Sequence, residues 1–153
     1  MKNRLQGITL IETVLYIGLF SVIILLVLNF MLATQESTLV NNRKNEIYKT
    51  SEFIVQHINY SFDHALSIEE EPLQTNILQL QFTDGNKQYY VSDSTLYYDL
   101  VPLTPPDILV SQFTLEPFYN EDPYPIAVRI NIDIQSKSDS KYSDTINLLS
   151  TLK

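Results

Sequence analysis

The chain has 153 residues, a formal charge of −8 and no cysteine. These facts exclude disulfide scaffolds, thiolate metal sites and cysteine nucleophiles. They also argue against a general nucleic-acid binder, because phosphate neutralisation needs clustered Lys and Arg, and the longest basic run here is Arg43-Lys44. Hydrophobic residues make up 44% of the chain, enough to bury a core, but residues 8–33 take a large share of them. The remainder is rich in Tyr, Asn, Gln, Ser and Thr and reads as one ordinary soluble domain.

Residues 1–7 carry two charges, Lys2 and Arg4. From residue 8 to residue 33 the sequence is apolar, interrupted by one charged residue, Glu12, and one other strongly polar residue, Asn29. A helix needs about 20 apolar residues to cross the hydrocarbon core, and residues 13–33 satisfy that. Lys2 and Arg4 favour a cytoplasmic N-terminus. Arg43 and Lys44 lie beyond the span, among Glu36, Glu46 and Glu52.

Three readings compete for this segment. A secretory signal peptide has a shorter apolar region and a small-residue cleavage site, which Met31-Leu32-Ala33-Thr34 imitates poorly. A plain signal anchor explains the length and the flanking charges. It gives no reason for Glu12, since an unpaired carboxylate in a membrane segment costs about 2–3 kcal/mol or more away from the interface.

The third reading rests on Gly7-Ile8-Thr9-Leu10-Ile11-Glu12. This run, behind a short basic leader and ahead of a long apolar stretch, resembles the processing site of type IV prepilins and of type II secretion pseudopilins. The resemblance implies a leader, residues 1–7, that a prepilin peptidase removes between Gly7 and Ile8 on the cytoplasmic side, methylating the new N-terminus at Ile8. Ile8 stands where the family usually has Phe. Glu12 is then the fifth mature residue, and the mature charge is −8 − 2 = −10. The physics agrees with the transfer. A new α-amine at Ile8 and a carboxylate at Glu12 are each costly in apolar surroundings, and pairing between neighbouring subunits compensates both while fixing their stagger.

No proline occurs before Pro72, and Gly18 is the one glycine between Gly7 and Gly85. The helix is therefore expected to run past the membrane segment. Ile47, Phe53, Ile54, Ile58, Phe62, Ala65 and Leu66 recur at helical spacing, with Asn45, Lys49, Glu52, Gln56, Asn59 and Asp63 between them. An amphipathic helix over residues 34–71 follows, ended by Glu69-Glu70-Glu71-Pro72, with residues 52–66 as its second helical stretch. His57 and His64 are two turns apart, not the one-turn spacing of metal-binding pairs. They read as half-exposed helix residues, and the acidic triplet as a solvated turn.

After Pro72 the period changes to alternation. Strands are expected at 77–82, 87–92, 95–100, 108–118, 126–134 and 145–152, with a hairpin at Thr83-Asp84-Gly85-Asn86 and turns at Asp93-Ser94 and 136–143. In 126–134, Ile126, Val128, Ile130, Ile132 and Ile134 are expected on one face and Ala127, Arg129, Asn131 and Asp133 on the other. The fold class is α+β: a long N-terminal transmembrane helix, residues 8–33, continuing into an amphipathic helix packed on an antiparallel β-rich head, residues 72–153. This order of parts is similar to the J/W-type minor pilins over most of the chain.

No enzyme motif is present: there is no G-x-S-x-G, H-E-x-x-H, P-loop or G-x-G-x-x-G. No catalytic residue, metal, cofactor or small-molecule substrate is expected. Asp93, Asp99, Asp107, Asp122, Asp139 and Asp144 sit in or near loops without regular Ca²⁺-ligand spacing. Tyr89, Tyr90, Tyr97 and Tyr98 either form a contact face or pack the sheet. The resemblance implies a structural subunit of a type IV pilus or related filament. The alternatives are a type II secretion pseudopilin, or a tip subunit whose head binds a surface, DNA or a secreted protein. The implied partners are other pilin subunits, prepilin peptidase, an inner-membrane assembly platform and the lipid membrane. The implied location is the cytoplasmic membrane, with the head extracytoplasmic, and then the filament.

Overall fold

The computed structural model describes residues 9–69, 73, 76–120 and 124–152. Among the described residues the element order is a helix, α1 (Leu10–His64, 55 residues), and then eight strands. The layout is α+β, a long apolar helix ahead of antiparallel sheets. The chain forms two compact units, one ending at Asn42 and one beginning at Arg43.

In the first unit every described residue from Thr9 to Leu39 is exposed. Several serine and threonine hydroxyls along this stretch bond back to the helix. Ser21 donates to the Ile17 carbonyl at 2.8 Å, Thr34 to that of Phe30 at 2.8 Å and Thr38 to that of Thr34 at 2.9 Å. Back-bonding of this kind gives those hydroxyls a partner where water is absent. The segment is long and apolar enough to cross a membrane.

In the second unit the strands form two sheets. β1 (Ser67–Glu69), β2 (Leu78–Phe82), β3 (Gly85–Ser92), β4 (Thr95–Tyr98) and β5 (Val101–Pro102) make a five-stranded meander. β6 (Ile108–Tyr119), β7 (Pro125–Ser136) and β8 (Ser143–Thr151) make a three-stranded one. All pairs are antiparallel. The core gathers Ile47, Ile54, Ile58 and Phe62 of α1 with Leu78, Leu80, Tyr89 and Leu96 of the first sheet. Val128, Ile130, Ile132, Ile134 and Ile146 complete it from the second.

The turns follow their chemistry. Asp93 and Ser94 both have positive φ (48° and 59°), as a two-residue type I′ hairpin turn requires. In the Asp99-Leu100 turn between β4 and β5 only Asp99 is positive, at 55°, which is the II′ pattern.

Four expectations need correction. The helix ends at His64, not at the acidic triplet; Glu69 lies in β1, paired with Gln79, and residues 70–72 lie outside the described residues. Leu66 has left the helix: its N–H donates to the Gln81 carbonyl, which steers the chain into the sheet. Pro102, which falls between the expected strands 95–100 and 108–118, belongs to a strand, at the sheet edge where its missing N–H is harmless. Ile126 is 47% exposed while Ala127 is buried. The register slips there, Phe118 facing Ala127 and Tyr119 facing Pro125, so Ile126 is the extra residue of a β-bulge and turns outward.

Candidate functional site: the first turn of the helix and the helix-to-sheet clasp

Thr9 caps the helix. Its Oγ1 accepts the Glu12 N–H at 3.3 Å, and its carbonyl accepts the Thr13 N–H at 3.1 Å. A side-chain acceptor such as the Thr9 hydroxyl is useful here because the first-turn amides have no intrahelical acceptor. Glu12 therefore sits in the first turn, where the helix dipole favours a carboxylate. Around it Leu10, Ile11, Val14 and Leu15 are all exposed. Among the described residues none pairs with the Glu12 carboxylate, which lies on an apolar surface. Gly7 and Ile8, the expected processing pair, lie outside the described residues.

In the second unit the four tyrosines divide. β3–β4 register pairs Tyr89 with Tyr98 and Tyr90 with Tyr97. Tyr89 is fully buried against α1. Tyr90 and Tyr97 stack on the opposite face, ring centroids 5.4 Å apart and 11° from parallel. So two tyrosines pack the sheet on the helix and two remain for a surface, a division set by strand alternation.

His57 is more than a half-exposed helix residue. Its Nδ1 lies 2.7 Å from the Tyr89 hydroxyl, which is also 2.6 Å from Ser61 Oγ. Its ring packs edge-wise on Tyr98 at 4.7 Å. The set is satisfied when a neutral His57 accepts from Tyr89 and Tyr89 accepts from Ser61. Burial lowers the His57 pKa from its ordinary 6.5 and raises that of Tyr89, so both are held neutral. A second tie joins α1 to the other sheet, Ser51 donating to Asp144. Sequence reading missed both ties, because a polar residue at the edge of an apolar stripe looks the same whether it faces water or a buried phenol.

The loop acids are bound up in local structure. Asp93 and Asp99 hold turns. Asp99 also accepts the Gln88 N–H at 3.0 Å and lies 3.4 Å from Lys87 Nζ. Asp139 accepts the Lys141 N–H. Asp122 lies outside the described residues. Among the described residues no three His, Asp or Glu side chains gather as metal ligands. No family model, no curated protein and no solved structure matches this chain.

Proposed function

We propose that this chain is a minor pilin-like structural subunit of a type IV pilus or related filament. In this reading it is matured between Gly7 and Ile8 and assembles through α1. The observation that carries the reading is Glu12: one carboxylate, without a partner among the described residues, in the capped first turn of an exposed apolar helix. A charge placed so is costly in lipid and is retained only with a counter-charge. The amine created at Ile8 of a neighbouring subunit supplies one, in the same membrane layer.

The test is co-purification with sheared filaments, against a membrane-fraction control. Glu12→Gln should insert and be processed normally, since neither step needs the charge. It should enter filaments poorly, because a buried amine left without its counter-charge costs about 3–5 kcal/mol. Glu12→Asp keeps the charge with a shorter reach and should fall between. Incorporation of Glu12→Gln at the wild-type level would refute the pairing.

A further inference from the structure

β6 is the outer strand of the three-stranded sheet, bonded to β7 on one side alone. Among the described residues its other edge makes two backbone bonds, Ile108 donating to the Pro105 carbonyl at 3.0 Å and Val110 to the Ser94 carbonyl at 2.8 Å. Those bonds fix which groups point outward. In an antiparallel pair, residues alternate between facing the ladder and facing away. Val110 faces away, and its partner is Ile134. The next outward residues are those opposite Ile132, Ile130 and Val128, namely Phe113, Leu115 and Pro117. Ser111 is the extra residue of a bulge between Val110 and Gln112, and it shifts the alternation by one.

Phe113, which is 8% exposed, and the half-buried Leu115 thus turn N–H and C=O groups away from β7 that no described residue takes. Pro117 has no N–H to present and closes the open stretch, as prolines do on edge strands. Beside this stretch lies a cleft of about 390 Å³, lined on the β6 side by Ser111, Gln112 and Phe113. Asn76, Ile77, Tyr90 and Val91 line it on the five-stranded sheet side. The described lining residues carry no charged side chain, and their polar groups are amides, hydroxyls and backbone.

The geometry points to a strand-docking site: a short extended segment of a different protein, neutral or basic, pairs with Phe113 and Leu115 and fills the cleft against Tyr90. Unpaired backbone amides flanked by a cleft are matched by another backbone, with alternate side chains reading the cleft. The short open stretch admits only a few residues. Charge selects a foreign segment over a second copy. Residues 43–153 hold eight Lys and Arg (the ten of the chain less Lys2 and Arg4) and sixteen Asp and Glu (the eighteen less Glu12 and Glu36). Two such heads repel each other. The site stands independently of how the N-terminus is processed.

The experiment uses the full chain in detergent micelles and a capped probe peptide, acetyl-Lys-Thr-Val-Thr-Val-Thr-amide. Amide hydrogen exchange of Phe113 and Leu115 should slow at least tenfold with millimolar probe. The same peptide N-methylated at every residue should give no slowing. Leu115→Pro removes one outward N–H and leaves the β6–β7 ladder intact, as Pro117 does natively. It should weaken probe binding at least tenfold while the far-UV spectrum is unchanged. If Leu115→Pro misfolds, the N-methylated peptide carries the test alone. The inference is overturned if the N-methylated peptide protects equally, if protection appears elsewhere, or if no protection appears. Protection of the same amides that grows with protein concentration, without probe, would assign the edge to a second copy and overturn the choice of partner.

Discussion

Replacing Tyr89 by Phe removes one oxygen from the join between α1 and the five-stranded sheet. That oxygen lies 2.7 Å from His57 Nδ1 and 2.6 Å from Ser61 Oγ. Tyr89 is fully buried and Ser61 is 2% exposed, so water does not replace the lost partner at Ser61. Each hydrogen bond contributes about 1 kcal/mol net, and a buried group left unmet costs about 1–3 kcal/mol. Ser61 has an escape: its hydroxyl can turn to the carbonyl one helical turn below, which is His57's own. The expected loss is therefore about 1–2 kcal/mol. The assay is urea unfolding of a fragment comprising residues 34–153, followed by far-UV circular dichroism. With a slope of about 2 kcal/mol/M, the midpoint should fall by about 0.5–1 M. Pairing Tyr89→Phe with Ser61→Ala should give a coupling of about 1 kcal/mol, because the two side chains share one bond. A midpoint shift within error of zero, or strictly additive effects, would refute the clasp.

The same site predicts a pH dependence. The His57 pKa is lowered in the folded chain by burial, so the folded state favours the neutral ring. Its contribution is fully present above pH 6.5 and is lost as pH falls from 6.5 through the lower folded-state value. Tyr98, Tyr89 and Ser61 face the ring and are neutral across that range. The Lys87–Asp99 ion pair, 3.4 Å apart, lies beyond them. Stability of the 34–153 fragment should decline over this window, and His57→Phe should flatten that part of the profile; a profile unchanged by the substitution would refute it. The fragment should itself be soluble and monomeric with both helix and sheet signals, since its core lies within the unit that begins at Arg43. An unfolded or all-helical fragment would refute that.

Much of the fold is legible in the sequence where one physical signal acts alone. The apolar run after residue 8, the absence of proline before Pro72 and the alternation in residues 128–134 each give the element found. The errors fall where a tertiary choice overrides the local pattern. Leu66 continues the helical stripe, but its N–H is worth more in the sheet, bonded to Gln81. Ile126 continues the alternation, yet a bulge opposite Phe118 and Tyr119 ejects it. β1 and β5 are too short to show a period, being three and two residues long. His57 and Ser61 look like ordinary helix-surface residues because their partner, Tyr89, is distant in sequence. Glu12, by contrast, is conspicuous in sequence, because a charge in an apolar run has no local explanation.

The central claim is that the working chain begins at Ile8. Intact-mass measurement of the protein purified from membranes in a host with prepilin peptidase tests it most directly. The account predicts a mass lacking residues 1–7 and carrying one added methyl, with Gly7→Val accumulating as uncleaved precursor. A mature wild-type mass that retains residues 1–7 would contradict it.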